Sequence, residues 1–322
     1  MKLVYSLLLA ACTVAHAQTA PPATQLAPGV WLLRGTFPEG RLPDGNTLLF
    51  EGTKGFVVMD TGRHAWHSDA ILAFAQGRNR PVTGIVNTHW HLDHTSGNIP
   101  IKRAHPAAKV YTSRAVERMI ADVWPRGIAR SEAFLANNNP PPGLAQDVRG
   151  DIDTRRDPQA LRPDVAISVS GEHDVDGVKL QLRHAPDATT DGDVWVYHPA
   201  SRIAAVGDLV TLPVPFLDTA CVKGWRTALQ QVAASPFETV VPGHGAPMTR
   251  AQFATYWGAF ESFTDCAASA RDKNACAADW ARATAALRAP EAADDPRTLE
   301  MAGEYVDMLR VNGGNAPLCK AP

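Results

Sequence analysis

Asn87-Thr88-His89-Trp90-His91-Leu92-Asp93-His94-Thr95-Ser96-Gly97-Asn98 sets three imidazoles and a carboxylate within the six positions from His89 to His94. Alternate side chains of an extended backbone share one side, so His89 and His91 converge; a turn after them brings Asp93 and His94 to a neighbouring position. Imidazole nitrogen and carboxylate oxygen form a borderline donor set, suited to zinc or iron and competent near neutral pH. Without a metal, each buried ring of such a cluster would need its own hydrogen-bond partner. Trp90 is read as a packing residue directed away from the donors. The preceding Pro81-Val82-Thr83-Gly84-Ile85-Val86 is a buried-strand candidate that delivers the cluster at its carboxyl end, where binding loops gather in layered α/β proteins.

Outward from this stretch, residues 30–33 read as a first strand, and 47–51 with 55–59 as a hairpin across Gly52-Thr53-Lys54. Asp60-Thr61-Gly62 ends that hairpin. A helix is expected over 68–75, with His64 and His67 as surface residues at its start or, alternatively, lining the entrance of the site. A helix end at 101–104, a strand at 110–111 and a helix over 114–121 follow. Residues 131–163, including Asn137-Asn138-Asn139-Pro140-Pro141-Pro142-Gly143, lack periodicity and read as a connecting loop or lid holding one short helix at most. Strand signals return at 165–169, 178–182, 194–197 and 203–206, before an amphipathic helix over 222–232 and a strand at 239–241. From Gln252 onward the chain is mostly helical, with Phe253, Trp257, Phe260 and Phe263 recurring at helical spacing as core residues. Two strand groups with interspersed helices predict one layered α/β domain over residues 18–250. A C-terminal helical extension, 251–322, is expected to pack on it.

The totals exclude much. In 322 residues, 31 Lys+Arg face 33 Asp+Glu for a formal charge of -2, so no global field favours nucleic acid or an anionic membrane. With 45% hydrophobic and 20% charged residues the composition is that of a globular chain. Lys2, the apolar run 4–11 and Ala15-His16-Ala17 read as a signal peptide over residues 1–17, too short to span a bilayer. The expected address is therefore the periplasm or the exterior. Leu9-Ala10-Ala11-Cys12 offers the alternative of a lipoprotein anchored through Cys12. No later segment has the apolar length of a membrane span. An oxidising address makes Cys221, Cys266, Cys276 and Cys319 candidates for pairing. Cys266 with Cys276 would staple a helical hairpin, and Cys221 with Cys319 would tie the distal chain to the body. Four buried free thiols are the alternative. The stretch Thr211 to Cys221 is rigid and apolar enough for a pocket wall.

The HxHxDH pattern of His89, His91, Asp93 and His94 resembles the metallo-β-lactamase superfamily. Asp60-Thr61-Gly62, Gly207-Asp208 and Pro242-Gly243-His244-Gly245 recur in the order that family shows, so the resemblance covers roughly residues 28 to 250. It implies a four-layer αββα sandwich with a metal centre at one edge of its sheets. It places His89 and His91 at a first metal position, Asp93, His94 and His244 at a second, and Asp208 between them. Asp60 would support the centre by hydrogen-bonding a ligating imidazole. One or two zinc ions are implied, with iron or manganese as alternatives. The implied activity is hydrolysis of a small ester, thioester, lactone, amide or phosphoester, with Asp93 and Asp208 orienting the attacking water. A β-lactamase, or a catalytically degenerate metal-binding or scaffold protein with a protein partner, are the alternatives. One position departs: Ala188-Thr189-Thr190-Asp191-Gly192-Asp193 carries Thr189 where the family commonly has a third first-position histidine. His184 is the nearest substitute donor. The first position is therefore expected to be the weaker of the two.

Overall fold

The fold was determined as a computed structural model that describes residues 19–288 and 296–319. The expected signal peptide and Cys12 lie outside the described residues. Strands β1 (Thr24–Ala27), β2 (Val30–Leu33), β3 (Thr47–Glu51), β4 (Phe56–Met59), β5 (Val82–Val86), β6 (Lys109–Thr112) and β7 (Val165–Ala166) pair in sequence order as one sheet. The pairing is antiparallel from β1 to β4 and parallel from β4 to β7. The second sheet holds β8 (Gly171–Val175), β9 (Val178–Ala185), β10 (Asp193–His198), β11 (Ile203–Thr211), β12 (Thr239–His244) and β13 (Met248–Thr249), in the order β13-β12-β11-β10-β9-β8. There β11 and β12 run parallel and the other pairs antiparallel.

The helices are α1 (Ala65–Gln76), α2 (Leu92–Thr95), α3 (Asn98–Ala104), α4 (Ala115–Arg118), α5 (Trp124–Asn137), α6 (Pro142–Arg156), α7 (Val222–Ala234), α8 (Arg250–Ala268), α9 (Lys273–Thr284) and α10 (Pro296–Val311). Three apolar cores define the layers. Leu48, Phe50, Val57 and Met59 meet Leu180, Leu182, Val194 and Val196 between the sheets. Val58, Ile85 and Val110 face outward onto Ile71, Ala75 and Ile101 of α1 and α3. On the far side Trp195, Ala204 and Val240 pack with Trp225 of α7 and with Phe253, Phe260, Trp280 and Val306 of α8, α9 and α10. Both faces of each sheet are thus covered, which is why β4 and β11 are buried at every position. The order is helix, sheet, sheet, helix.

The C-terminal helices share their core with the second sheet. Thr249 and Gln252 start α8 with reciprocal side-chain and backbone bonds, satisfying donors that the first turn leaves open. Cys266 on α8 is bonded to Cys276 on α9, as their spacing suggested, and the remaining pair, Cys221 and Cys319, is bonded too.

Three expectations are corrected. Residues 131–163 are two helices and a short turn, not a loop. The proline run misleads because Pro142 opens α6, where a missing N–H costs nothing and a fixed φ helps. His64 and His67 are not at the surface: they are 6% and 0% exposed. His64 sits between Asp44 (Nδ1–Oδ2 2.8 Å) and Asp147 (Nε2–Oδ1 3.1 Å), and His67 Nε2 lies 2.8 Å from Thr47 Oγ1. Residues 30–33 are the second strand, β1 pairing ahead of them, and 171–175 form an unforeseen strand because a half-exposed edge shows no apolar run.

Candidate metal centre

The sheets deliver the donors by register. Strand β5 ends at Val86 and releases the loop that carries His89 and His91 into α2, which holds Asp93 and His94. On the other sheet, Thr211 of β11 is level with His244 of β12 and Gly207 with Pro242, so Asp208 and His244 arrive side by side. Two glycines leave room for them. A Cβ on Gly45 would strike the His94 ring, and one on Gly243 would strike Asp208 Oδ1.

Two donor groups result, each with its atoms within 4.8 Å of one another: His89, His91 and Asp208, and Asp93, His94 and His244. Asp208 faces both. Its Oδ2 is 3.6 Å from His89 Nε2 and 3.9 Å from His91 Nδ1, while its Oδ1 is 3.2 Å from His94 Nε2 and 3.5 Å from His244 Nε2. Asp93 Oδ2 lies 3.0 Å from His244 Nε2 and 3.6 Å from His94 Nε2.

The surrounding hydrogen bonds fix which nitrogen of each ring is free. Asp60 stands at φ 56, a left-handed conformation that L residues rarely adopt, and there its carboxylate accepts from Thr88 N, Thr88 Oγ1 and His94 Nδ1. His94 is therefore protonated at Nδ1 and presents Nε2 inward. Thr88 Oγ1 donates to Asp60, so it accepts from His89 Nδ1 at 2.9 Å, and His89 too presents Nε2. Thr219 Oγ1 donates to the Thr189 carbonyl at 2.7 Å and accepts from His91 Nε2 at 3.1 Å, leaving His91 Nδ1 free.

Two lone pairs, His89 Nε2 and His91 Nδ1, then face each other at 2.8 Å. His94 Nε2 and Asp208 Oδ1 are buried with no hydrogen-bond partner. The two facing lone pairs of His89 and His91 repel each other unless a cation lies between them, so the residues fit a metal. Charge agrees. Burial, then His91 and His94, hold His89 well below the usual imidazole range. Burial would raise the carboxylates, yet His94, His244 and Arg63 hold Asp93 below its ordinary range, and His94 with His244 do the same for Asp208. Burial disfavours charge on His94 and His244, but the carboxylates overcome it and raise both. The buried carboxylates thus draw positive charge to the site.

Other sequence candidates fall outside the donor groups. Thr189 turns its hydroxyl to the Asp193 carboxylate, a group that burial pushes up to about 7. His184 lies on β9 opposite Val194 of β10 and belongs to neither donor group. Thr88, Thr219 and Arg63 escaped the sequence reading, having no spacing that marks them. Arg63 Nη2 is 3.5 Å from Asp93 Oδ1.

Beside the centre lies a cavity of about 430 Å³ whose wall includes His91, Asp93, Asp208 and His244. Phe37, Leu42, Trp124, Leu212 and Phe216 make much of it apolar. Trp90 both packs, with Nε1 donating to Asp191, and lines this cavity. The stretch 211–219 forms one wall, as its composition suggested.

A family model described as the metallo-beta-lactamase superfamily matches residues 40–244. The linear primary-alkylsulfatase of Pseudomonas sp. (strain ATCC 19151) is 24% identical over 224 residues, or 62% of this chain and 41% of that protein. The chain thus spans well under half the length of that relative. Among solved structures, a stereoselective inverting sec-alkylsulfatase from Pseudomonas sp. superposes with a TM-score of 0.60 at 18% identity, over 94% of this chain and 52% of that one. A metallo-beta-lactamase from Pontibacter korlensis does so with a TM-score of 0.53 at 20% identity, over 74% and 98%. At these identities the likeness to the solved structures is one of fold.

Proposed function

Because the chain belongs to the metallo-β-lactamase superfamily, we propose that it is an exported metal-dependent hydrolase of a small, largely apolar substrate. His89, His91 and Asp208 would hold one cation, and Asp93, His94 and His244, with Asp208, would hold another. Zinc suits this donor set, with iron or manganese as alternatives. The observation that carries the reading is the pair of facing lone pairs on His89 Nε2 and His91 Nδ1, 2.8 Å apart, within two donor groups that flank Asp208.

A divalent cation bound by these residues would supply Lewis acidity toward water and toward an electrophilic carbonyl or phosphorus centre. The chain supplies the rest. Asp60, Thr88 and Thr219 hold His94, His89 and His91 in the ligating tautomer. Asp208 and Asp93 orient the attacking water, and Asp93 takes its proton where ligation leaves an oxygen free. The apolar wall excludes bulk water and seats the substrate body.

Ester, thioester, lactone, amide and phosphoester bonds are the substrate classes; the alkylsulfatase relative adds a sulfate ester as a second reading. The departure at Thr189 favours a further one, a degenerate periplasmic metal-binding protein without turnover. Export is supported by the two disulfides. Among the described residues no helix is long and apolar enough to cross a membrane. One folded unit of residues 18–250 carrying 251–322 on its flank is supported by the shared core of α7 to α10.

The test is metal reconstitution followed by hydrolysis assays across those bond classes, a β-lactam included, beside a His244→Ala control. Metal-dependent turnover above the control is expected for at least one class. Tight metal binding with no turnover on any class would support the degenerate reading; no metal binding would overturn the hydrolase reading.

A further inference from the structure

Four charged side chains run from the metal centre along one wall of the cavity. Asp93 Oδ1 lies 3.5 Å from Arg63 Nη2, Arg63 Nη1 pairs with Asp151 Oδ1, and Asp151 Oδ2 lies 3.8 Å from Arg155 Nη2. All four line the cavity. Their charges do not balance locally. With Asp93 committed to a metal, Arg63 keeps both Asp151 and the nearby Asp44, whereas Arg155 has only Asp151, at 3.8 Å.

Arg63 has the better part of that carboxylate and also donates from Nε to the Pro43 carbonyl at 3.1 Å. Arg155 is left underserved. Its Nη1 reaches the neutral Ser131 hydroxyl at 3.2 Å, and its buried Nε has no partner. Arg130 adds a further positive charge near it. The remaining cavity carboxylate, Asp218, is exposed and already accepts from Tyr305 at 2.8 Å. A guanidinium on the cavity wall whose one carboxylate partner stands 3.8 Å away is a strong anchor for a carboxylate or sulfate.

We propose that Arg155 anchors an anionic group of the substrate, so that the ligand class is an apolar-bodied molecule with a carboxylate or sulfate at one end. The scissile bond lies at the metal centre, and the Arg63–Asp151 pair separates it from the docked acid. The substrate is therefore bifunctional, and the helix pair α5–α6, which supplies Trp124, Asp151 and Arg155, sets its length and charge. This rests on the reading of the cavity as the substrate pocket of a metal-dependent hydrolase.

The experiment measures binding of octanoate, octyl sulfate and the neutral octanamide to metal-loaded protein by calorimetry, for wild type, Arg155→Gln and Arg155→Lys. Both anions should bind wild type more tightly than octanamide, and their ranking identifies the preferred acid. Arg155→Gln should weaken both anions about ten- to a hundredfold, the range for hydrogen bonds to a charged group, and leave octanamide unchanged. Arg155→Lys should recover part of the loss. An anion preference that survives Arg155→Gln would assign it to the metal and overturn the proposal, as would no preference in wild type. Should Arg155→Gln lose octanamide as well, Arg155→Lys decides, recovery of the anions supporting the anchor and failure overturning it. Absence of turnover on every bond class would refute the hydrolase reading while leaving the anion preference standing, so the two failures are distinct.

Discussion

Replacing Thr219 by valine removes a single hydroxyl that bridges His91 and the Thr189 carbonyl, and the consequences divide between stability and metal affinity. The Thr189 carbonyl is left as a buried acceptor and His91 Nε2–H as an unpaired donor. An unpaired buried group costs about 1–3 kcal/mol, which in a domain of this size lowers Tm by roughly 2–4 °C per kcal/mol. The second consequence concerns the tautomer. The Thr219 bond, ~1 kcal/mol, favours the form of His91 that leaves Nδ1 free. Without it the Nδ1–H form competes and must be displaced before ligation, weakening the first position about five- to tenfold, near the lower bound for outer partners of metal ligands. The position built from Asp93, His94 and His244 takes its support from Asp60 and should keep its affinity. The assay is zinc titration against a competing chelator with element-resolved stoichiometry, alongside scanning calorimetry. Equal weakening of both ions would refute the reasoning. So would a lowered Tm with the first ion unchanged, since Thr219 would then serve the fold alone.

Metal-free wild type, loaded progressively, should fill the position of Asp93, His94 and His244 first. Thr189→His should strengthen the other position; two equally tight ions in wild type, with His184 uncoordinated by anomalous scattering, would refute the weak-site account. Burial pushes His67 from 6.5 down to about 4, so it folds neutral and protonation favours the unfolded chain. Its contribution is whole above pH 6.5 and is lost as pH falls toward 4, up to ~3 kcal/mol, a slope that urea unfolding should show and His67→Gln should flatten. Cys319→Ser, which opens the Cys221–Cys319 bond of sequence separation 98, should lower unfolding stability by roughly 2–5 kcal/mol. Because Cys221 lies two residues from Thr219, it should also weaken the first metal position, and unchanged zinc affinity would show that the bond serves the fold alone.

The donors were legible because chemistry concentrates them: four fall within one turn of chain, and Asp208 and His244 stand in short glycine-flanked landmarks. The layer order was legible from strand periodicity and the family resemblance together. The supports of the centre were not. Thr88 is an ordinary threonine until Asp60 takes its hydroxyl proton and turns its lone pair to His89, and Thr219 is one until the 211–219 wall brings it to His91. His64 and His67 looked solvated because a helix start in isolation is exposed; only Asp44, Asp147 and Thr47, distant in sequence, bury them. The helix pair α5–α6 was hidden by its own prolines, whose local meaning depends on whether the chain before or after them is helical. Its charged residues face Arg41 and Arg63, and no periodicity within residues 131–163 announces partners that far away.

The Cys221–Cys319 bond also has a meaning in time. A chain made from its amino terminus presents His89 to His94 early, whereas the wall that meets His91 is tied by Cys221 to Cys319, one of the last residues made. Tyr305 holds Asp218 from the same late segment, and Ala316 N donates to the Ala220 carbonyl at 2.9 Å. An early-made part of the centre thus rests on the last-made part of the chain: His91 meets Thr219, two residues from the Cys221 that Cys319 holds.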